Sequence, residues 1–342
     1  MPPDPTMPMS SFQTAIDQAK QGKDLGIQQT SDLIDAMLSG LASDDEIGHL
    51  LLALKEKGEA VDELVGAAQA MRRHMTRISH SHDVLLDTCG TGGSESRTFN
   101  ISTAIAIVAA ACGIAVAKHG NRKATSLTGS ADVLEELGVP IESDADSVAK
   151  SLDQIGICFC FAVKLHPAMK HVVGVRRKLG VKTLFNLLGP LCNPAGATHQ
   201  LLGTSSTDAQ NKVAAAIAKL NTQRAFVVHG ADGQDEVSLD GSTTAIDVIS
   251  GKQTTHVWTP ADFGLLPVGR EALTAENPAQ SASIIRRIFD GEPGPCRDTV
   301  VAGTAAALLL VEKASSLSDA ATLATDAIDS GAAKAKLAEL AK

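Results

Sequence analysis

VLLDTCGTGGSESRTFNIST, residues 84–103, joins a predicted strand to a predicted helix through a glycine-rich loop. An apolar run ends at Asp87, glycines follow at 90, 92 and 93, and residues 100–103 begin an alanine-rich helix. Glycine lets the backbone approach a ligand closely because it has no Cβ. The helix N-terminus adds unpaired N–H groups and the positive end of the helix dipole. The stretch predicts an anion site, typically for phosphate, although similar loops also occur where a strand and a helix only pack tightly.

Composition narrows the possible functions of the chain. The 342 residues are enough for about two domains. A net charge of −9 argues against a nucleic-acid surface built on bulk charge. Eight Phe, one Trp and no Tyr leave few side chains on which single-stranded bases could stack. No apolar stretch is long and free of charge enough to span a bilayer. We therefore expect neither a nucleic-acid partner nor a membrane partner.

The six cysteines predict free thiols in a reducing, cytoplasmic environment. None lies in a CxxC pair, and no Cys/His cluster has the spacing of a zinc site. The first residues are rich in proline and lack the basic and apolar regions of a signal peptide. We expect residues 1–11 to form a loose tail.

Residues 12–83 predict a small helical domain. Ser43–Asp45 should cap a helix that Gly58 ends, because a hydroxyl or carboxylate precedes apolar residues at helical spacing. By the same reasoning, Thr30–Asp32 should cap a helix that ends at Gly40. No strand pattern interrupts this part of the chain.

From residue 84 onward, strand and helix patterns alternate, which predicts an α/β domain with a central, mostly parallel sheet covered by helices. We assign residues 84–166 and 189–342 to this larger domain. The segment 243–259 predicts a hairpin. Residues 167–188 break the alternation with a helical pattern, and we expect this inserted segment to join the helical domain.

Polar residues follow the predicted strands, at the sheet edge where α/β proteins bind ligands. Lys118–Arg122 comes directly after an apolar strand, and Lys118 is suited to neutralise phosphate. Ser126–Asp132 combines glycine, hydroxyls and a helix start, with Ser130 as the predicted cap. Taken alone, Lys118–Arg122 could instead be an ordinary solvated loop.

Two further stretches suggest a carboxylate-bearing substrate and a metal. His166 begins a segment leading to Arg176, whose guanidinium could bind a carboxylate, although a solvated basic helix face is the alternative. Asp235 and Glu236 follow another strand and suit Mg²⁺, although a surface acidic turn has the same sequence pattern. The motifs GxSxG, GxxxxGK[ST] and GxGxxG are absent. Together, these residues suit a Mg²⁺-bound, multiply phosphorylated substrate.

The motifs resemble those of the anthranilate phosphoribosyltransferase family in type and order. GTGG and TFNIST come first, then KHGNR, GSADVLEELG, HPAMKHV, VRRKLGVKTLFNLLGPL with NP, and VVHGADGQDE. The resemblance implies Mg²⁺-dependent transfer of a phosphoribosyl group from 5-phosphoribosyl diphosphate (PRPP) to the amine of anthranilate. This is the second step of tryptophan biosynthesis from chorismate. The resemblance also implies a homodimer joined through the helical domain.

The resemblance also implies ligands for individual residues of this sequence. Those expected to bind PRPP are Gly90, Gly93, Ser94, Thr98, Asn100, Ser102, Thr103, Lys118, Ser126 and Ser130. Those expected to bind anthranilate are Gly90, His119, Asn121, His166 and Arg176. Those expected to hold Mg²⁺ are Ser102, Asp235 and Glu236. No residue is assigned as a catalytic acid or base.

The glycine loop departs from the family pattern at Ser94 and Glu95. Ser94 stands where the family usually has Asp, and our hypothesis is that Glu95 or Asp235 partly supplies the missing carboxylate. Two other functions remain open for this sequence. One is a pyrimidine nucleoside phosphorylase-like enzyme, and the other is a non-enzymatic relative that binds nucleic acid. The HPAM…VRR segment and the Asp235–Glu236 pair argue against the first alternative, and the acidic charge against the second.

Overall fold

The computed structural model describes residues 10–92, 97–122, 128–220 and 222–342. The chain divides into two compact units. The first runs to Thr76 and also contains His166–Cys192. The second consists of Arg77–Leu165 and Asn193–Lys342. We call them the helical unit and the α/β unit.

The bounds of the regular elements are as follows. The helices are α1 (Ser10–Lys20), α2 (Ile27–Leu38), α3 (Asp44–Lys57), α4 (Val61–His74), α5 (Ile101–Ala111), α6 (Ser130–Glu136), α7 (Ala145–Ile155), α8 (Ala162–Leu165), α9 (Lys170–Leu179), α10 (Phe185–Leu188), α11 (Thr207–Lys219), α12 (Pro278–Phe289), α13 (Pro295–Leu310), α14 (Leu317–Asp329) and α15 (Ala332–Leu340). The strands are β1 (Leu86–Gly90), β2 (Val116–Gly120), β3 (Ile157–Phe161), β4 (His199–Gly203), β5 (Arg224–Gly230), β6 (Thr243–Ile249) and β7 (Lys252–Trp258).

Local capping sets the bounds of α3 as the sequence predicts. The Ser43 side chain accepts from the Glu46 N–H, and the Glu46 side chain accepts from the Ser43 N–H, which forms a capping box. Gly58, with φ of 86°, follows the last residue of the helix. The helical character of α1–α4 is likewise as predicted.

The predicted cap of α2 is wrong, because the helix begins at Ile27, with Gly26 at its N-cap. Thr30 and Ser31 lie inside the helix, and each is 1% exposed. A Cβ placed on Gly66 of α4 would lie 2.2 Å from the Ile27 carbonyl oxygen. Packing of α4 against the first turn of α2 thus outweighs the local capping preference of Thr30 and Ser31.

The α/β unit is built on a seven-stranded sheet in the order β3-β2-β1-β4-β5-β6-β7. The first five strands in that order pair in parallel, and β6 and β7 add the predicted antiparallel hairpin. β3 demonstrates how both faces are covered. Its residues 157, 159 and 161 join the larger apolar cluster, and residues 158 and 160 join a smaller cluster with α7. A strand buried on both faces is continuously apolar, which explains the ICFCF sequence.

Two predicted boundaries near the strand ends require correction. β1 begins at Leu86 rather than at Val84, which is 42% exposed. The N-cap of α6 is Gly129 rather than Ser130, which is the first helical residue. The Asp132 side chain accepts from the Gly129 N–H, which is the reciprocal half of a capping box, while Gly129 itself has no side chain to cap the helix. Among the described helices, none is long and apolar enough to cross a membrane.

Two helical glycines of the helical unit allow a matched test of the packing between α2 and α4. We expect Gly66→Ala to lower the free energy of unfolding by about 2 kcal/mol, because the new methyl group overlaps backbone atoms of α2. Gly174→Ala in α9 meets no atom within 4 Å. It should raise the free energy by about 0.5 kcal/mol through helix propensity. Thermal unfolding, with hydrogen exchange of the α2 amides, measures the stability of both variants. If the two substitutions change the free energy of unfolding in the same direction, this account is wrong.

Candidate functional site

The carboxyl ends of four strands meet at one edge of the sheet, since β2, β1, β4 and β5 are neighbours and run in parallel. Each of these strands ends in glycine. The order along the chain reverses between β1 and β4, which is the point where α/β sheets bind ligands. The predicted site residues that the structure describes in this unit lie at the ends of these strands, at the N-termini of α5 and α6, or in the segments that follow the strands. They are Gly90, Thr98, Asn100, Ser102, Thr103, Lys118, His119, Asn121, Ser130, Asp235 and Glu236.

Asp87 and Lys118 bridge a gap between β1 and β2. The two strands pair only at Leu86 and Val116, whereas β1 stays paired with β4 to its last residue. Beyond that point, Asp87 Oδ1 accepts from the His119 N–H at 3.0 Å. In the opposite direction, Lys118 Nζ donates to the Thr88 carbonyl at 2.7 Å. Side chains thus replace the missing ladder hydrogen bonds at this edge of the sheet.

The bridge places two opposite charges inside the protein. Asp87 is fully buried and Lys118 is 4% exposed. Burial raises the pKa of Asp87, and Asn193 and Lys118 oppose that shift. Burial also lowers the pKa of Lys118, and Asp87 opposes it. Each charge therefore makes the burial of the other less costly.

Asn193 secures the same strand from another side. Its Nδ2 donates to the Ala117 carbonyl at 2.8 Å, and its Oδ1 accepts from the Ala195 N–H at 2.9 Å. Asn193 is 6% exposed. The residues before and after Lys118 are thus both held through their backbone, which fixes the point where the lysine leaves the strand.

Ser102, Asp235 and Glu236 lie together beside Lys118. Lys118 Nζ donates to Ser102 Oγ at 3.2 Å, and the Glu236 carboxyl accepts from the Ser102 N–H. A Cβ on Gly90 would lie 3.1 Å from Asp235 Oδ2. A Cβ on Gly203 would overlap the Asp235 carbonyl oxygen, at 1.6 Å. The glycines that end β1 and β4 therefore let Asp235 lie directly against the strand ends.

The electrostatics of the acidic pair favour a cation. Burial and the neighbouring Asp235 raise the pKa of Glu236 to about 8. In the described part of the chain, no group of three or more His, Cys, Asp and Glu side chains could hold a metal. Mg²⁺ commonly takes one or two carboxylates and completes its coordination with water and substrate phosphate. A hydroxyl and two adjacent, half-buried carboxylates fit that requirement.

Asn100 and Thr103 form the start of α5. Thr103 is fully buried, and its hydroxyl donates to Asn100 Oδ1 at 2.5 Å. The Asn100 N–H donates to Ser281 Oγ at 2.9 Å. Thr98 forms an isolated bridge with Thr274. Thr103 therefore orients the Asn100 side chain.

Asn121 and Ser130 lie at the two ends of the loop that follows β2. The Asn121 carbonyl accepts from the Ala131 N–H at 3.2 Å and from Ser130 Oγ at 3.4 Å. Arg122 forms ion pairs with Asp132 at 3.0 Å and with Glu135 at 2.9 Å. These contacts tie Asn121 and Arg122, at the start of the loop, to α6.

Arg176 and His166 belong to the helical unit. Arg176 is half-buried, and burial lowers its pKa. His166 is 6% exposed, and burial lowers its pKa to about 4. His166 is therefore neutral at pH 7. The predicted residues Gly93, Ser94 and Ser126, and the Glu95 of our compensation hypothesis, lie outside the described residues.

Sequence reasoning did not identify Asp87 and Asn193 as residues that organise the site. The available signal for Asp87 was a carboxylate at the end of an apolar strand, directly before a glycine loop. Such an aspartate is usually solvated. Only the separation of β1 and β2 turns it into a buried partner of Lys118.

Removing Asp87 should strongly destabilise the α/β unit. We expect Asp87→Ala to lower the free energy of unfolding by about 3 kcal/mol, because Lys118 and the His119 N–H lose a buried partner. Thermal or denaturant unfolding of the full chain measures this change. The matched control, Asp153→Ala, removes a carboxylate that is 45% exposed and should cost less than about 1 kcal/mol. If Lys118→Met does not reduce the cost of Asp87→Ala, the two residues do not act as a pair.

Comparison with known proteins identifies the family. Residues 82–334 match the model of the glycosyl transferase family a/b domain, and residues 13–75 match the helical bundle domain of that family. An anthranilate phosphoribosyltransferase from Rhodopirellula baltica is 67% identical over 98% of this chain and 98% of its own length.

Two solved structures agree with that assignment. The anthranilate phosphoribosyltransferase from Thermus thermophilus is 40% identical, with a TM-score of 0.89 over 96% of this chain and 98% of its own. The enzyme from Saccharomyces cerevisiae in complex with PRPP and Mg is 27% identical, with a TM-score of 0.90 over 98% of both chains. On sequence identity and coverage together, the chain belongs to the anthranilate phosphoribosyltransferase family.

Proposed function

We propose that this chain transfers the phosphoribosyl group of PRPP to the amine of anthranilate. The products are N-(5-phosphoribosyl)anthranilate and pyrophosphate, in the second step of tryptophan biosynthesis from chorismate. The observation that carries this proposal is the cluster of Lys118, Ser102, Asp235 and Glu236 at the strand ends. Family membership and the PRPP and Mg complex of the yeast relative support it.

The PRPP site that we propose consists of ten residues of the α/β unit. Its residues are Gly90, Gly93, Ser94, Thr98, Asn100, Ser102, Thr103, Lys118, Ser126 and Ser130. Two hydrogen bonds support a role for Lys118. The Thr88 carbonyl accepts from the Lys118 ammonium, and Asp87 accepts from the neighbouring His119 N–H, so the buried ammonium is held at the sheet edge. The hydrogen bond from Thr103 supports an indirect role for that residue, through the Asn100 side chain.

Ser102, Asp235 and Glu236 are the residues that would hold Mg²⁺. When bound there, Mg²⁺ would supply positive charge against the pyrophosphate of PRPP. Lys118 lies 3.2 Å from Ser102 Oγ and adds a fixed charge of the same sign. This preorganised charge would stabilise the departing pyrophosphate.

The reaction breaks the bond between the ribose C1 and the pyrophosphate oxygen and forms a bond between C1 and the anthranilate nitrogen. An arylamine is neutral at pH 7, so its lone pair can attack without prior deprotonation, and the proton leaves the nitrogen afterwards. We therefore assign no catalytic acid or base. The chain contributes position and electrostatic stabilisation.

We propose five residues that bind anthranilate. They are Gly90, His119, Asn121, His166 and Arg176. Arg176 would bind the carboxylate. The low pKa of His166, which follows from its burial, supports a role for it as a neutral lining residue.

The proposal includes the assembly and location of the protein. The helical domain would comprise residues 12–83 and the inserted segment 167–188, and the α/β domain residues 84–166 and 189–342. We propose a homodimer joined through the helical domain, which exposes the apolar side chains of Leu41 (55%) and Val173 (45%). The six free cysteines support a cytoplasmic location.

A direct assay tests the function. Protein, PRPP and Mg²⁺ should consume anthranilate, which is followed by the loss of its fluorescence. Glu236→Gln should lower kcat/KM by about 100-fold, since it removes a carboxylate that would hold Mg²⁺ against the departing pyrophosphate. Glu312→Gln, at an exposed carboxylate, is the matched control. Phosphorolysis of thymidine or uridine, or a salt-sensitive gel shift with nucleic acid, without anthranilate consumption would favour an alternative function.

The pKa of Glu236 leads to a prediction about protons. The ionised carboxylate binds Mg²⁺, so below its pKa of about 8 the metal must displace a proton. Affinity for Mg²⁺ should therefore rise up to about tenfold per pH unit from pH 6 to 8, and then level off. Calorimetry in buffers of different ionisation enthalpy should detect proton release at pH 7. Equal release by Glu236→Gln would contradict the assignment.

A further inference from the structure

Arg176 is a half-buried cation without an anionic partner among the described residues. It lies in the last turn of α9. Burial alone accounts for the lowering of its pKa, and no nearby carboxylate offsets that shift. The buried Lys118, by contrast, has Asp87 as a counter-charge. A guanidinium removed from water without a counter-charge is costly, and an external anion can offset this cost.

Two neutral side chains contact the Arg176 guanidinium instead. Its carbon Cζ lies 5.3 Å from the centroid of the Phe185 ring. Arg176 Nη2 donates to Asn186 Oδ1 at 3.5 Å. The ring attracts the cation through its quadrupole, and the amide oxygen accepts a hydrogen bond. Neither group neutralises the charge.

The Asn186 side chain is itself held in place. Its Oδ1 accepts from the Thr183 N–H at 2.9 Å, and the Asn186 N–H donates to the Thr183 carbonyl at 2.8 Å. Phe185 is 6% exposed and is the first residue of α10. The turn 183–186 therefore presents a fixed ring and a fixed amide oxygen to the same guanidinium.

We propose that Phe185 and Asn186 are positioning residues that orient Arg176 while leaving its charge available for the carboxylate of the arylamine substrate. This inference rests on the proposed function, in which Arg176 binds that carboxylate. The absence of a charged side chain in the turn 183–186 would thus help to select an acceptor that carries a carboxylate. A carboxylate at position 186 would occupy the guanidinium and compete with the substrate.

Asn186→Asp tests this directly, because Asp retains an oxygen for the Thr183 N–H but adds a negative charge beside Arg176. We expect the KM for anthranilate to rise by about tenfold or more, corresponding to the loss of one charge-assisted hydrogen bond. The KM for PRPP should stay within about twofold, since the substitution lies outside the PRPP site. Steady-state kinetics with each substrate varied in turn measures both constants.

A double-mutant cycle separates competition for Arg176 from general damage. In the background of Arg176→Gln, Asn186→Asp should change the KM for anthranilate by less than about twofold, because the charge on which it acts is gone. Asn211→Asp, at an exposed position of α11, adds the same charge elsewhere and should change neither constant. Equal effects of Asn186→Asp in both backgrounds would overturn the inference.

Phe185→Leu provides an independent variant, which decides the matter if Asn186→Asp does not fold. Removing the ring should raise the KM for anthranilate by about fivefold, with the KM for PRPP little changed. Parallel increases in both constants would overturn the inference. If the unaltered protein consumes no anthranilate, the proposed function itself fails. If the unaltered protein is active and Asn186→Asp matches it in the KM for anthranilate, only the positioning role fails.

Discussion

The buried bridge between Asp87 and Lys118 is the interaction on which the arrangement at the sheet edge depends. β1 and β2 part after one residue pair, and two side chains reach across in opposite directions. Parting the strands exposes backbone donors and acceptors that a regular ladder would satisfy. Asp87 and Lys118 satisfy them and also provide each other with a counter-charge. A lysine can thus stay buried at the end of β2, beside the hydroxyl of Ser102.

The two basic residues of the proposed mechanism are held in different ways. Lys118 has a built-in counter-charge, and its position is fixed by hydrogen bonds on both strands. Arg176 has an aromatic ring and an amide as neighbours, so its charge is left unpaired among the described residues. A residue that must remain charged in the resting protein benefits from an internal anion. One that must recognise a substrate carboxylate would be weakened by it.

The charges of Asp235 and Glu236 are arranged differently from those of Lys118 and Arg176. Asp235 lies against the glycines that end β1 and β4, and burial and the neighbouring Asp235 raise the pKa of Glu236 to about 8. Repulsion between the two carboxylates and the cost of burial are both reduced when a cation binds. These unfavourable electrostatic contributions thus lie where the proposed metal would bind. Glycine is required at Gly203, because any side chain would overlap the backbone of Asp235.

The sequence by itself determined the local features. Capping chemistry set the start of α3 at Asp44, the turn between β6 and β7 set the hairpin, and alternating patterns defined the α/β class. Family motifs named most of the candidate residues, whose roles remain predictions. The tertiary structure alone decided the early start of α2, the parting of β1 and β2, and the burial of Asp87. These depend on atoms that are distant in the chain, such as Gly66 against Ile27 and Asp87 against His119. Local preferences are worth about 1 kcal/mol, and packing and buried charge exceed them.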